Sequence, residues 1–524
     1  MATEFAPVSL CCYNIDRFLN QTLQAQTQAR KNSLGNRPAE GITNLRLMFE
    51  PRSVAFIGAS ADLRKWGYRI LSNLKNGGFQ GKIYPVNPNS REILGLEVYP
   101  KVADIPEIPD LAVIVVPPSS VPQVMGQCVA KGIKTGLVIT AGFAEIGTEG
   151  ERLQEEMVEI ASNGGMRFVG PNSNGIINPA GKLYCQMPPL FPSPGPFAVV
   201  SQSGNVVGTI IRLAAANGFG CAKCISSGNE ANLHAEDYIQ YLAGDQQTKV
   251  ILCYIEGFKD GTRFFETAKE VSKKKPIVIL KAGDTPAGAI AARSHTASLA
   301  GSGDVFEAMC KQSGVIRVRS LDELVDTGIA LLCHPLPRGR RVGIITAGGG
   351  WGVLAADACA RLGLDVVPLP AETIDELDKF LPFWWNRGNP VDLVAGTFGD
   401  AVVRSVETLL RCPVVDGVIM LGLIPALPPE QLARAAKQEE RERLREVLLE
   451  SVVQVFDKLK ELTAKYAKPL IVASEPLAFG ATMARKVTHI LAERNAVCYD
   501  MPHQAAVAMA NLARYGEYLR QNSG

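Results

Sequence analysis

Arg52-Ser53-Val54-Ala55-Phe56-Ile57-Gly58-Ala59-Ser60 is the stretch from which the fold is read. Ser53 to Ile57 is a short β-branched and aromatic run without polar alternation, the pattern of a strand buried on both faces. Gly58-Ala59-Ser60 breaks it with small residues. A helical stretch from Tyr68 to Lys75 follows, with Ile70, Leu71 and Leu74 at helical spacing. Strand, small-residue turn and helix together open a βα unit. Working outward, Lys82 to Val86, Leu111 to Val116, Gly136 to Thr140 and Met166 to Val169 read as further strands. Val121 to Lys131 and Arg152 to Ser162 read as helices between them, and Gly170-Pro171-Asn172 closes the unit. This alternation predicts an α/β fold, a parallel sheet covered on both faces.

The same alternation recurs downstream. Pro188 to Pro196 reads as a linker. A second unit has strands near Phe197 to Val200, Cys221 to Ser226, Val250 to Ile255 and Pro276 to Leu280, and runs to about Cys333. His334-Pro335-Leu336-Pro337-Arg338-Gly339 reads as the next linker. A third unit has strands near Arg341 to Thr346, Asp365 to Val367, Gly417 to Leu421 and Pro469 to Val472. Gln438 to Tyr466 has the period of one long amphipathic helix laid on a sheet. The expected organisation is an N-terminal extension over 1–44 and domains over 45–187, 195–334 and 340–524.

Composition agrees with this plan. A chain of 524 residues, 47% hydrophobic and 20% charged, is an ordinary multidomain α/β protein. A net charge of +2 gives no reason to invoke nucleic acid or an anionic membrane. No apolar run reaches the roughly 18 to 20 residues that span a bilayer. The twelve cysteines follow no framework, and Cys253, Cys333 and Cys359 lie in apolar stretches. That usage suits reduced thiols and a cytoplasmic location. Cys221-x-x-Cys224 reads as two strand cysteines rather than zinc ligands, and no metal site is expected. Residues 20–31 are polar and Gln-rich. Glu4, Asp16 and the scarcity of arginine argue against a transit peptide.

Three turns carry anion-binding chemistry. Gly58-Ala59-Ser60 lacks the G-x-G-x-x-G of a dinucleotide fold, but its small residues let backbone N–H groups meet a phosphate. The second strand ends Pro85-Val86-Asn87-Pro88-Asn89, without the acidic residue that binds the ribose in NAD sites. Lys65 and Arg91 nearby favour a ligand with a phosphate on or near its ribose. Ser201-Gln202-Ser203-Gly204-Asn205 puts two hydroxyls and a glycine at a helix start, and Thr346-Ala347-Gly348-Gly349-Gly350-Trp351-Gly352 repeats the arrangement. Plain capping and a tight packing turn are the competing readings of these two.

His295, in Arg293-Ser294-His295-Thr296-Ala297-Ser298-Leu299-Ala300-Gly301, is one of five histidines and sits among small residues. An imidazole nitrogen there can take a phosphoryl group covalently, or bond its own backbone as loop histidines do. Glu256 follows the strand Val250 to Ile255, on the ligand side of a parallel sheet, where it could orient His295.

Taken in order, Ser53 to Ser60, Ile83-Tyr84-Pro85-Val86-Asn87-Pro88, Gly170-Pro171-Asn172, Val200 to Gly204, Tyr254-Ile255-Glu256-Gly257, Ser294-His295-Thr296 and Asn389-Pro390-Val391-Asp392 carry a family resemblance. Over about Leu47 to Asn511 the chain resembles the α subunit of ADP-forming acyl-CoA synthetases, in the superfamily that includes succinyl-CoA synthetase. The resemblance implies a Rossmann-like CoA-binding domain followed by two flavodoxin-like ligase domains. It implies CoA held by Gly58, Ala59, Ser60, Lys65, Pro85, Asn87 and Pro117, and phosphate held by Ser201, Ser203, Gly204, Gly349 and Gly350. It makes His295 the phosphorylated histidine and Glu256 its supporting carboxylate. The implied reaction converts acyl-CoA, phosphate and ADP reversibly to a carboxylic acid, CoA and ATP. Nothing in the chain resembles the ATP-grasp module that binds ADP/ATP with Mg2+ in this family, so a separate β subunit in an α2β2 assembly is implied.

Ala297 stands where the family's glycine follows His-Thr, Trp351 follows Gly350 in place of proline, and Ser173 replaces a frequent cysteine. These departures bear on the choice of acid. A CoA-binding regulatory protein and an NAD-dependent dehydrogenase are the other classes considered. Both His295 and Glu256 argue against the first, and the missing ribose-binding acid argues against the second.

Overall fold

The computed structural model describes residues 45–283, 285, 287–288, 303–394, 400–422, 438–474 and 481–522. The first sheet comprises β1 (Ser53–Ile57), β2 (Lys82–Val86), β3 (Leu111–Ile114), β4 (Thr135–Val138) and β5 (Arg167–Val169). All are parallel, in the order β2-β1-β3-β4-β5. Helices α1 (Trp66–Asn76), α2 (Val121–Lys131) and α3 (Thr148–Asn163) connect them. The chain goes to one side of β1 and then to the other. The loops after β1 and β3 therefore flank the crevice where such sheets bind ligands.

An element that the alternating pattern did not announce follows. β6 (Gly175–Asn178) and β7 (Leu183–Gln186) form an antiparallel hairpin. It falls inside the stretch expected as the first domain, yet it extends the second sheet, with β6 antiparallel to β9 (Cys221–Ser226). The expected linker is also shorter, because β8 (Pro194–Ser201) already begins within it. Helix α4 (Gly204–Ala216) follows β8. The second sheet continues with α5 (Ala235–Gly244), β10 (Val250–Ile255), α6 (Gly261–Val271), β11 (Ile277–Lys281), α7 (Gly303–Ser313), β12 (Ile316–Val318) and α8 (Leu321–Cys333). Its order is β12-β11-β10-β8-β9-β6-β7, with the switch between β8 and β10. Cys221 and Cys224 both lie in β9, buried.

The third sheet holds β13 (Arg341–Thr346), then α9 (Gly349–Arg361), β14 (Asp365–Val366), α10 (Ala371–Asp378), β15 (Val391–Asp392) and α11 (Asp400–Arg411). β16 (Gly417–Leu421), α12 (Gln438–Tyr466), β17 (Leu470–Ala473), α13 (Ala481–Glu493), β18 (Cys498–Tyr499) and α14 (Pro502–Gln521) complete it. The order is β14-β13-β16-β17-β18, and β15 pairs with β13. The long helix spans the residues expected, and Val452, Phe456 and Leu459 bury its apolar stripe on this unit's core.

The three units are not beads on a string. Phe49 stacks on Tyr241 at 5.2 Å, and its carbonyl accepts from Asn178 Nδ2 at 2.9 Å, inside a core shared by the first and second units. A second core joins α4, α8 and the second sheet to α9, β16, β17 and α14. The expected linker after Cys333 is packed as well. Pro337 is buried, and its carbonyl accepts from Arg520 Nη1 of α14 at 2.9 Å. Among the described residues no helix is long and apolar enough to cross a membrane.

Candidate active site

In the first unit the turn after β1 is built by close backbone approach. Gly58 has φ +91°, and a Cβ there would lie 2.1 Å from the Val115 carbonyl oxygen beyond β3. Only glycine fits, so the turns after β1 and β3 meet at the switch point. Asn87 Nδ2 donates to the Ala59 carbonyl at 2.6 Å, and its Oδ1 accepts from Asn89 N at 2.7 Å. The structure thus brings together Gly58, Ala59, Ser60, Asn87 and Pro117. Ser60 Oγ accepts from Asp62 N at 3.1 Å, and Lys65 is exposed at the N-cap of α1. Pro85 is different. It is buried in β2 and its carbonyl accepts from Tyr99 N at 2.9 Å, so it shapes the strand rather than offering a surface.

The second and third units carry the same turn twice. Ser201, the last residue of β8, is buried. Its Oγ donates to the Ser203 carbonyl at 2.8 Å and accepts from Ser203 N at 3.1 Å. Thr346, the last residue of β13, does the same with Gly348, at 2.6 and 3.2 Å. Each hydroxyl staples its turn and commits its proton there, so Ser201 shapes the turn that was expected to hold phosphate. What the staple leaves open is the helix start. Neither Ser203 nor Gly348 caps its helix with a side-chain hydrogen bond, and neither first turn holds an acidic residue. Among the described residues each helix start therefore presents the positive end of its dipole; at the α9 start a carboxylate oxygen of Asp392 lies close by, 3.1 Å from where a Gly349 Cβ would stand. Ser203 and Gly204 are half-buried, whereas Gly349 and Gly350 are exposed. Gly204 is also tight, since a Cβ there would fall 2.3 Å from Asn174 Cγ.

Glu256 follows β10, beside β8 at the switch. Its backbone N–H donates to Gln202 Oε1 at 2.6 Å, and Gly257 N donates to the same oxygen at 3.2 Å. Gln202 Nε2 donates to the Gly257 carbonyl at 2.8 Å and to Glu230 Oε2 at 3.0 Å. Burial, with the Glu256 carboxylate alongside, pushes the Tyr254 hydroxyl up to about 12. Glu230 is fully buried, and its Oε1 accepts from Ser227 Oγ at 2.7 Å. Burial pushes its carboxyl up to about 7, against the hydrogen bonds from Ser227 and Gln202. Sequence reasoning passed over Gln202 and Glu230. The signal for Glu230 was the one that found Glu256: an acidic residue in a glycine turn just after a parallel strand, here Ser226-Ser227-Gly228-Asn229-Glu230.

His295, Ala297 and the segment around them lie outside the described residues. Trp351 lies in the first turn of α9 and packs, half-buried, on the core shared with the second unit. Asn389 ties its loop to the third sheet, accepting from Ile344 N at 2.9 Å and donating to the Val342 and Val367 carbonyls at 2.8 Å each.

Three α/β units in succession, the first with a glycine-tight turn at its switch point and the next two with stapled helix starts, define a multidomain α/β protein with its turns at the sheet switch points. Family comparison agrees along the chain. Residues 52–179 match a CoA binding domain, 194–331 a succinyl-CoA ligase-like flavodoxin domain and 342–453 a ligase-CoA domain. The chain is 42% identical over 445 residues to the α subunit of an ADP-forming acetate–CoA ligase II of Pyrococcus furiosus, covering 83% of this chain and 96% of that one. An ADP-forming acetate–CoA ligase I of Archaeoglobus fulgidus is also 42% identical, but the match covers 71% of this chain and only 54% of that longer one. Among solved structures, a dinucleotide forming acetyl-coenzyme A synthetase 1 of Ca. Korarchaeum cryptofilum, in complex with phosphate and ADP, superposes with a TM-score of 0.78. It is 33% identical, over 92% of this chain and 99% of that one. The chain belongs to the ADP-forming acyl-CoA ligase family, within the succinyl-CoA synthetase superfamily, and aligns with its α subunits.

Proposed function

We propose that this chain is the α subunit of an ADP-forming acyl-CoA ligase, converting acyl-CoA, phosphate and ADP reversibly to a carboxylic acid, CoA and ATP. A phosphate oxygen attacks the thioester carbonyl carbon, the C–S bond breaks, and CoA leaves as a thiol after taking a proton. His295 then attacks phosphorus, the P–O bond to the acyl group breaks, and the carboxylate departs. ADP takes the phosphoryl group from the histidine to give ATP. The helix starts at Ser203-Gly204 and Gly349-Gly350 stabilise the charge on the transferring group, and Glu256 orients the imidazole. Gly58 to Ser60, Lys65, Asn87 and Pro117 hold CoA.

The observation that carries this reading is the pairing of an open helix start after β8 with Glu256 after β10, locked together by Gln202 across the switch point. Nucleotide binding falls to a separate ATP-grasp β subunit in an α2β2 assembly. The support is the near-complete match to a relative named as an α subunit, against about half of the longer relative. Mg2+ belongs with the nucleotide on that partner. Support for a cytoplasmic location comes from the buried free cysteines.

The test is reconstitution with an ATP-grasp partner, followed by a screen of acyl-CoA thioesters for ATP formation from ADP and phosphate. Wild type should make ATP with at least one thioester and His295→Ala with none. Equal activity in both proteins would remove His295 from the reaction. Tight CoA binding with no turnover on any thioester would favour a regulatory CoA-binding role.

A further inference from the structure

Behind the two halves of the candidate site lies a buried carboxyl that the reaction scheme leaves unused. Glu230 sits at φ +52°, held in the turn after β9, and is 2% exposed. Its two oxygens serve two different loops. Oε2 accepts from Gln202 Nε2, and Gln202 in turn grips the Glu256-Gly257 turn through both backbone N–H groups and the Gly257 carbonyl. Both N–H hydrogens and both lone-pair directions of the Gln202 amide are thereby used, so its plane cannot rotate without breaking bonds. Oε1 accepts from Ser227 Oγ, which is also 3.3 Å from the Ser201 carbonyl of the stapled turn, while Ser227 N donates to that carbonyl at 2.8 Å. His234, Glu236, Tyr238 and Cys253 lie close enough to share its electrostatic environment.

We propose that Glu230 is a positioning residue for phosphoryl transfer: acting through Gln202, it fixes the Glu256-Gly257 turn in register with the Ser201–Gly204 helix start. The inference rests on the ligase reading above and adds a residue to it. A carboxyl is costly to bury, and a packed apolar side chain would fill the same space more cheaply. Its place at the junction of the two loops that face one phosphoryl group is explained by the register it imposes. A shift of about an ångström between Glu256 and the helix start slows transfer without touching CoA, which is held in the first unit.

The experiment uses the full chain with its ATP-grasp partner and follows phosphohistidine formation from ATP by rapid quench. Glu230→Leu removes both acceptors, whereas Glu230→Gln keeps an oxygen for Gln202 and an amide for Ser227. We expect Glu230→Leu to slow phosphorylation about 10- to 100-fold, the scale of an ångström misplacement. Glu230→Gln should restore the rate to within about fivefold of wild type, and CoA affinity should stay unchanged in both. Gln202→Leu should be as slow as Glu230→Leu, and the double variant no slower than either, because they act through one path. Melting temperature and CoA affinity identify any variant that fails to fold. Should Glu230→Leu not fold, Gln202→Leu decides instead: a loss of about 10- to 100-fold supports the proposal and a wild-type rate overturns it. A wild-type rate in Glu230→Leu, or multiplicative losses in the double variant, would overturn the proposal and leave the ligase reading intact. No phosphohistidine in the wild type would overturn both.

Discussion

A single buried carboxyl makes this protein's stability depend on pH in a direction that can be worked out. The Glu230 carboxyl is pushed up to about 7 by burial, from an ordinary value of 4.5. As pH rises from 4.5, the unfolded chain loses its proton first and the folded chain holds it, so stability falls until pH passes about 7 and is then level. The size is at most about 3 kcal/mol. Glu230→Gln cannot titrate, so the wild type's urea midpoint should fall relative to that variant between pH 5 and 8. A constant gap across that range would show that the group does not titrate there. Gly58→Ala tests another residue. The positive φ and the 2.1 Å approach to Val115 should cost of the order of 2 to 4 kcal/mol and weaken CoA binding, read by calorimetric titration. The places of Glu256 and Gly58 were legible in the sequence because each directly follows a clear parallel strand. Gln202 and Glu230 were not, because their meaning lies in partners 28 to 55 residues away.

The element that repeats is strand, hydroxyl staple and open helix start. Ser201→Ala and Thr346→Val remove the hydroxyl and leave the N–H and carbonyl two residues on to find water. Each should cost about 1 to 2 kcal/mol by denaturant unfolding. Ser201→Ala should also slow phosphohistidine formation, since its turn carries both Gln202 and the start of α4. An unchanged stability in both variants would mean that the staples do not organise the turns. Most strands were legible from their unbroken apolar runs. The hairpin of β6 and β7 was not. It is short, antiparallel within a sheet whose other strands run parallel, and separated from its partner β9 by β8 and α4, so no local periodicity announces where it pairs. The start of β8 was hidden for a related reason, because Pro194 and Pro196 read as linker while the strand runs through them.

On the scale of the whole molecule, shared cores replace the independent units that the linkers suggested. α14, from the end of the chain, reaches back to the second unit. Tyr515 Oη donates to the Ser272 carbonyl at 2.7 Å, and Tyr518 Oη to the Lys269 carbonyl at 3.2 Å. Tyr515→Phe with Tyr518→Phe should lower stability by about 1 to 2 kcal/mol per bond. Because the second and third units share one core, calorimetry should show both lost in one transition. A variant in which the third unit melts alone would contradict that shared core. This shared core packs together the units that carry the two helix starts and the Glu256 turn, and in the proposed reaction the phosphoryl group passes through one nitrogen, that of His295. The most direct measurement is mass spectrometry of the chain after incubation with an ATP-grasp partner, ATP and Mg2+. We expect acid-labile phosphate on His295, absent from His295→Ala and discharged by ADP. Phosphate on another residue, or none with a partner shown to bind nucleotide, would contradict the phosphohistidine mechanism.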